Sequence, residues 1–192
     1  MADKPKIIAI VGMAYSGKNT LANLLSKKLG ILHVDIDDVR TAIFGLEEHP
    51  KPDPTLVDLS PIRKLDQLPR KLSYKAILFF AEKFSELGKS VIISATFSQF
   101  ETREKLRSIA KTNGAELKLI KCEFLNDTKE EVEKRIASRQ FGKNSLSLIV
   151  NYDQYLWQKS IEKPFQENHF LIDTSHSPEI CLKKALEYIN SD

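Results

Sequence analysis

Apolar runs and helical periods alternate along the whole chain, the pattern of an α/β architecture with a largely parallel sheet. Lys6–Val11 reads as a strand, and Lys18–Leu29 as a helix with Leu21, Leu24, Leu25 and Leu29 on one face and Gly30 as its stop. Leu32–Ile36 predicts a second strand that ends in carboxylates, followed by a short helix over Val39–Phe44. Residues 46–69 hold five of the eight prolines and almost no regular period, so they predict a long surface loop, a kind that in compact domains is usually functional.

Arg70–Leu87 keeps helical spacing through Leu72, Ala76, Phe79, Phe80 and Phe84 before Gly88. Val91–Ala95 predicts the third strand, Glu101–Lys111 a helix closed by Asn113-Gly114, and Leu117–Phe124 the fourth strand. Lys129–Arg139 is highly charged and precedes a flexible Gly142-Lys143-Asn144-Ser145 segment. A helix near Leu148–Gln158, a short strand at Phe170–Ile172 and a closing helix at Pro178–Ile189 complete the pattern, with Ser177 ahead of Pro178 as first helical residue. Ligands of such sheets collect at the carboxyl ends of the strands. The edge so predicted carries Gly12, Asp37, Ser94–Ser98 and Leu125–Asp127.

The junction of the first strand and helix is the most informative stretch. Gly12-Met13-Ala14-Tyr15-Ser16-Gly17-Lys18-Asn19-Thr20 has the layout of a phosphate-binding P-loop: buried strand, glycine-anchored loop, helix opening on lysine. Gly12 and Gly17 supply angles and clearance, loop amides converge on an anion at the positive end of the helix, and Lys18 adds a cation for β- and γ-phosphates. Ser or Thr usually follows the lysine, to touch Mg²⁺. Here Asn19 does, with the hydroxyl of Thr20 one residue later.

Three carboxylates, Asp35, Asp37 and Asp38, surround the end of the second strand, with Arg40 just beyond. Strand alternation predicts Asp35 and Asp37 on one face and Asp38 as the start of the next helix. A carboxylate facing the loop serves as base toward a hydroxyl or helps hold Mg²⁺, and Asp37 is the candidate; the bland alternative is a solvated strand end. Arg40, Arg63, Arg70 and Arg103 are acceptor-side candidates, because a planar guanidinium matches phosphate and carboxylate. Arg70 stands out by opening a helix directly after Pro69, against the dipole rule. Arg135 and Arg139, at i and i+4, share a helix face and suggest a lid that closes over phosphates; a solvated charged helix is the competing reading. The four histidines have no ligand or catalytic-pair spacing, and Tyr152, Tyr155 and Trp157 read as packing residues.

Composition adds limits. A chain of 192 residues, 42% hydrophobic and 29% charged, suits one globular domain over 1–192. Net charge +3 and a pI near 8.7 suit phosphate ligands but do not by themselves indicate nucleic acid. Cys122 and Cys181 lack metal-site spacing and predict reduced, buried thiols. No stretch approaches a membrane span, and Asp3-Lys4-Pro5-Lys6 runs straight into the first strand with no room for a signal peptide, so the expected location is the cytoplasm.

With these residues in hand, the chain resembles the P-loop kinases of the AAA_33-like group, kin to the polynucleotide 5′-hydroxyl kinase domain, zeta-toxin and chloramphenicol phosphotransferase proteins. Beyond the loop, the resemblance rests on His33-Val34-Asp35-Ile36-Asp37-Asp38-Val39-Arg40, Arg70 leading into Tyr74 and Ala81, Gly88 through Phe97, Arg103, and the Arg135/Arg139 pair. It implies a three-layer P-loop NTPase fold: a five-stranded parallel sheet, helices on both faces, and a short helical lid over about 129–148. It further implies MgATP as donor, Lys18 on the phosphates, Asp37 as base toward an acceptor hydroxyl, and Arg135 and Arg139 in the lid. Arg40, Arg70 and Thr96 would lie on the acceptor side with the loop at about 45–69, and Asn19 and Asp37 near the metal. Two positions depart from the family pattern: Ser94 stands where an aspartate is usual, and Asn19 where Ser or Thr is usual.

Two readings follow. In the first, the chain is an ATP-dependent phosphotransferase moving the γ-phosphoryl group to a hydroxyl on a small molecule or a nucleic-acid 5′ end. In the second, it is a nucleotide-binding module with a weakened Mg²⁺ site and no efficient turnover. A GTPase switch is set aside for want of an Asn-Lys-x-Asp run.

Overall fold

The apolar runs become five strands of one parallel sheet. The structure, a computed structural model, describes residues 4–139, 141–143 and 145–191; Asp3 of the predicted N-terminal lead and Asn144 of the predicted flexible segment lie outside the described residues. In chain order the elements are β1 (Lys6–Val11), α1 (Lys18–Leu29), β2 (His33–Asp35), α2 (Ile36–Phe44), α3 (Ser60–Leu65), α4 (Gln67–Glu86), β3 (Val91–Ala95) and α5 (Phe100–Thr112). After them come β4 (Glu116–Glu123), α6 (Lys129–Ala137), α7 (Tyr152–Ser160), β5 (Phe170–Asp173) and α8 (Pro178–Asn190). The strand order is β2-β3-β1-β4-β5, every pairing parallel.

Burial follows from that order. The central strand β1 and its neighbour β3 are covered on both faces, which is why they read as continuous apolar runs rather than alternations. On one face Ile7, Ala9 and Ile93 pack with Ile77 and Ala81 of α4 and Leu106 of α5. On the other Ile8, Ile10 and Ile120 pack with Leu21 and Leu25 of α1 and Ala185 and Ile189 of α8. Both cysteines are free and buried on that second face. A third cluster, with Tyr15, Leu59, Val132, Ile149 and Tyr155, joins the loop after β1 to the segments around α3, α6 and α7.

Several expectations are corrected. Helix α2 starts at Ile36, so β2 is three residues long and Asp37 belongs to a helix. Asp35, not Asp38, caps that helix, accepting from the Asp37 amide at 2.7 Å, and Asp35 and Asp37 share no strand face. The stretch 46–69 is not wholly irregular: it contains α3, and α4 already begins at Gln67. Pro69 therefore sits inside the first turn of α4, where its missing N–H costs nothing because those donors have no intrahelical partner, and Arg70 does not open the helix. Helix α6 ends at Ala137, leaving Arg139 beyond it, and α7 starts only at Tyr152, where Asn151 caps the Gln154 amide.

Candidate active site

The loop between β1 and α1 is built by its backbone. Gly12 has φ +149°, and a Cβ there would lie 2.5 Å from the Cys122 carbonyl and 2.5 Å from Ser16 Oγ, so only glycine fits. Gly17, at φ +78°, is the left-handed residue from which α1 starts, and no side chain caps that helix. Its first amides are left for an anion, at the positive end of the dipole. Tyr15 holds the middle of the loop with φ +65°; its buried ring donates from the hydroxyl to the Ile149 carbonyl at 2.6 Å.

Lys18 follows, its Nζ 3.4 Å from the Met13 carbonyl. Burial draws its ammonium below the ordinary value, and the Asp37 and Asp35 carboxylates oppose that shift. A phosphate in the loop favours the charged form in the same way.

Beside a wider opening of about 470 Å³ by Asn19, His33, Asp35 and Asp37, two cavities flank the loop. One, of about 240 Å³, lies against Tyr15, Thr20, Leu24, Arg135, Thr174 and His176. The other, of about 90 Å³, is where Lys18, Asp37, Arg40, Arg70, Thr96 and Arg139 meet. Asn19 and Arg63 line it as well. The sequence-predicted residues thus separate. Arg135 lies off the smaller cavity, donating to the Tyr15 carbonyl at 2.9 Å and to Thr174 Oγ1 at 3.3 Å over the Phe124 ring. Arg139 faces both cavities, 5.5 Å from the Tyr15 ring. Arg103 reaches neither: it is buried against Glu167, with the Phe165 ring 4.0 Å away. It is a structural arginine, not an acceptor-side one.

Asp37 sits at the centre of the smaller cavity, one oxygen 3.4 Å from Arg40 Nη1 and the other accepting from the Leu146 amide at 3.3 Å. Tyr74 bonds Thr96 Oγ1 at 2.8 Å and accepts from the Phe97 amide, fixing the end of β3. Sequence reasoning missed Asp66, which is buried and bonds both Arg40 and Arg70, the latter at 3.1 Å. It missed His33 too, whose Nε2 lies 2.8 Å from Ser94 Oγ. The Asp66–Arg70 pair at i,i+4 is a local signal that could have been read, whereas Asp66–Arg40 and His33–Ser94 span 26 and 61 residues and leave no local mark.

The two departures in the metal region have structural counterparts. Asn19 Oδ1 is buried with no hydrogen-bond partner among the described residues. Ser94 is paired in register with Asp35 and donates to its Oδ2 at 2.6 Å, so the acid that β3 lacks stands one strand over, on β2. An orphaned amide oxygen beside two carboxylates is a set of hard oxygen donors, and it fits Mg²⁺.

Known proteins place this geometry. The chain's fold matches a sugar kinase from Janibacter sp. HTCC2649 (TM-score 0.66, 14% identity, covering 98% of this chain and 95% of that one). It also matches a gluconokinase from Sinorhizobium meliloti 1021 (0.58, 19%, 96% and 91%). A third match is the Mycobacterium tuberculosis APS kinase CysC in complex with AMPPNP and APS (0.52, 14%, 98% and 99%). No curated protein sequence matches the chain significantly. No helix among the described residues is long and apolar enough to cross a membrane. The fold is therefore that of the P-loop kinases, and since the AAA_33 model, described as an AAA domain, matches residues 7–151, the chain belongs to that family.

Proposed function

We propose that the protein is an ATP-dependent phosphotransferase that moves the γ-phosphoryl group to the hydroxyl of a small acceptor. The observation that carries this reading is the convergence of Lys18, Asp37 and Arg139 on one small cavity beside an uncapped helix start. The nucleoside end of ATP lies in the larger cavity by Thr174 and His176, and its phosphates run along the loop amides toward Lys18. Asp37 takes the proton of the acceptor hydroxyl as it attacks in line, and Lys18 and Arg139 hold charge on the transferring group. Asn19 and Asp35 would hold Mg²⁺, which when bound neutralises phosphate charge, leaving Asp37 free to act as the base. Arg135 acts as a brace for the loop rather than on the phosphates, since its donors are occupied by Tyr15 and Thr174.

Asp35 favours this reading over a silent nucleotide-binding module, because it keeps a carboxylate at the site although Ser94 lacks one. Asp37→Asn tests it. Turnover should fall about 10²–10⁴-fold, the usual share of a positioned base, while ATP affinity by calorimetry stays within about twofold of the unmutated protein. Absence of phosphoryl transfer by the unmutated chain across a broad acceptor panel would sink the proposal.

A further inference from the structure

Beside Asp37, the wall of the smaller cavity is made of three guanidinium groups: Arg40 from α2, Arg63 from α3 and Arg70 from α4. One buried carboxylate, Asp66, serves both Arg40 and Arg70. Among the described residues no carboxylate pairs with Arg63, which donates only to the neutral amide of Gln158 and lies 4.8 Å over the Trp157 ring. Nε atoms of both Arg63 and Arg70 are buried without a hydrogen-bond partner. Burial first, and the neighbouring Arg70 charge second, push the Arg63 guanidinium down to about 10.

A buried cation normally has a counterion, because desolvating it without one is costly. The protein follows that rule at Arg103, which is matched to Glu167. The half-buried Arg63 feels the exposed Asp58 carboxylate only through space and has no ion pair among the described residues, on a wall that faces a cavity. Lys18 and Arg139 already face the transferring phosphate in this cavity, and Arg63 and Arg70, from α3 and α4, add two further guanidinium groups to its wall. Fork-shaped donors left unpaired beside a base are suited to a planar or tetrahedral oxyanion. At about 90 Å³ the cavity admits a compact group.

From this we infer that the acceptor is itself an anion: a small alcohol whose own carboxylate or phosphate is held by Arg63 and Arg70 while its hydroxyl meets Asp37. The inference rests on the phosphotransferase reading for the hydroxyl and on the unpaired Arg63 for the anion. It separates this site from one for neutral sugars or other uncharged alcohols.

The test is calorimetric titration of the full chain, with AMPPNP and Mg²⁺ present to fill the nucleotide side, using inorganic phosphate, acetate and glycerol. Phosphate or acetate should bind at least tenfold more tightly than glycerol, and the stronger of the two names the head group. Arg63→Gln should weaken that anion at least tenfold, and Arg63→Lys should recover part of the loss. Neither anion binding better than glycerol, or an Arg63→Gln variant that binds the anion unchanged, overturns the inference. Should Arg63→Gln fail to fold, the comparison of probes on the unmutated chain still decides. Transfer from ATP, measured separately as ADP release, distinguishes the two ideas: transfer confined to neutral alcohols removes the anion and leaves the kinase. Arg63-dependent anion binding without any transfer does the reverse.

Discussion

The two sides of the candidate site are made by different means. The nucleotide side is a continuous stretch of backbone, Gly12 to Thr20, whose shape is set by three positive-φ residues and whose donors are main-chain amides. The acceptor side is an assembly of side chains from α2, α3 and α4, held in place by Asp66. A backbone cradle depends on sterics within a few residues. A side-chain wall depends on long-range pairing, so its chemistry changes when one partner changes. This division suits an enzyme that keeps one donor and varies its acceptor, a pattern common when a fold hosts many functions.

Breaking the cradle should have the largest effect. In Gly12→Ala the new Cβ meets the Cys122 carbonyl and Ser16 Oγ at 2.5 Å, and the carbonyl belongs to β4, an interior strand paired on both sides that has little room to yield. Strain and overpacking together amount to roughly 4–5 kcal/mol. The expected outcome is loss of nucleotide binding by calorimetry or of the folded state by thermal melting. A variant that melts normally and binds ATP with unchanged affinity would show that the loop is not held as described.

Breaking the wall should cost less overall and act elsewhere. Asp66→Asn removes the one carboxylate shared by Arg40 and Arg70 but keeps its shape. Leaving the buried Arg40 without its carboxylate, with the more exposed Arg70 losing its partner as well, costs about 3 kcal/mol, the lower end for a broken buried pair. ATP affinity should change little, while the acceptor KM rises as Arg40 and Arg70 lose their aim. An equal loss on both sides of the site would mean that the two regions are one mechanical unit.

The same division explains what the chain's sequence made legible. All five strands and the P-loop were readable because each is a local period or a local motif. The acceptor wall was not, since Asp66 and Arg40 stand 26 residues apart and Arg63 and Gln158 stand 95 apart. Helix starts failed for a related reason. Pro69 was read as a boundary, yet a proline is tolerated anywhere in a first turn. The apolar run Leu148-Ile149-Val150 predicts helix, but it lies ahead of α7 outside any regular element and presents the Ile149 carbonyl to Tyr15.

The smallest expected effect sharpens the contrast between Arg63 and Arg103. If Arg63 lacks an ion pair because a ligand completes it, then Arg103, which borders neither cavity, should depend wholly on its internal partner. Burial alone would raise the Glu167 carboxyl, but the hydrogen bonds and charge of Arg103, with Arg107 beyond, outweigh it and hold the group below 4.5. A depressed carboxylate contributes stability that is present above its unfolded pKa, near 4.5, and is lost as pH falls through the folded value. Glu167→Gln should therefore cost roughly 1.5–3 kcal/mol in urea unfolding at pH 7, the worth of hydrogen bonds to a charged group. The deficit should shrink steadily below pH 4.5, because the unmutated chain then loses the same interaction. Nucleotide and anion binding should stay as they are, since Glu167 borders neither cavity. A deficit of the same size at pH 7 and pH 3 would assign Glu167 a packing role instead, and the comparison of a paired with an unpaired arginine would lose its reference point.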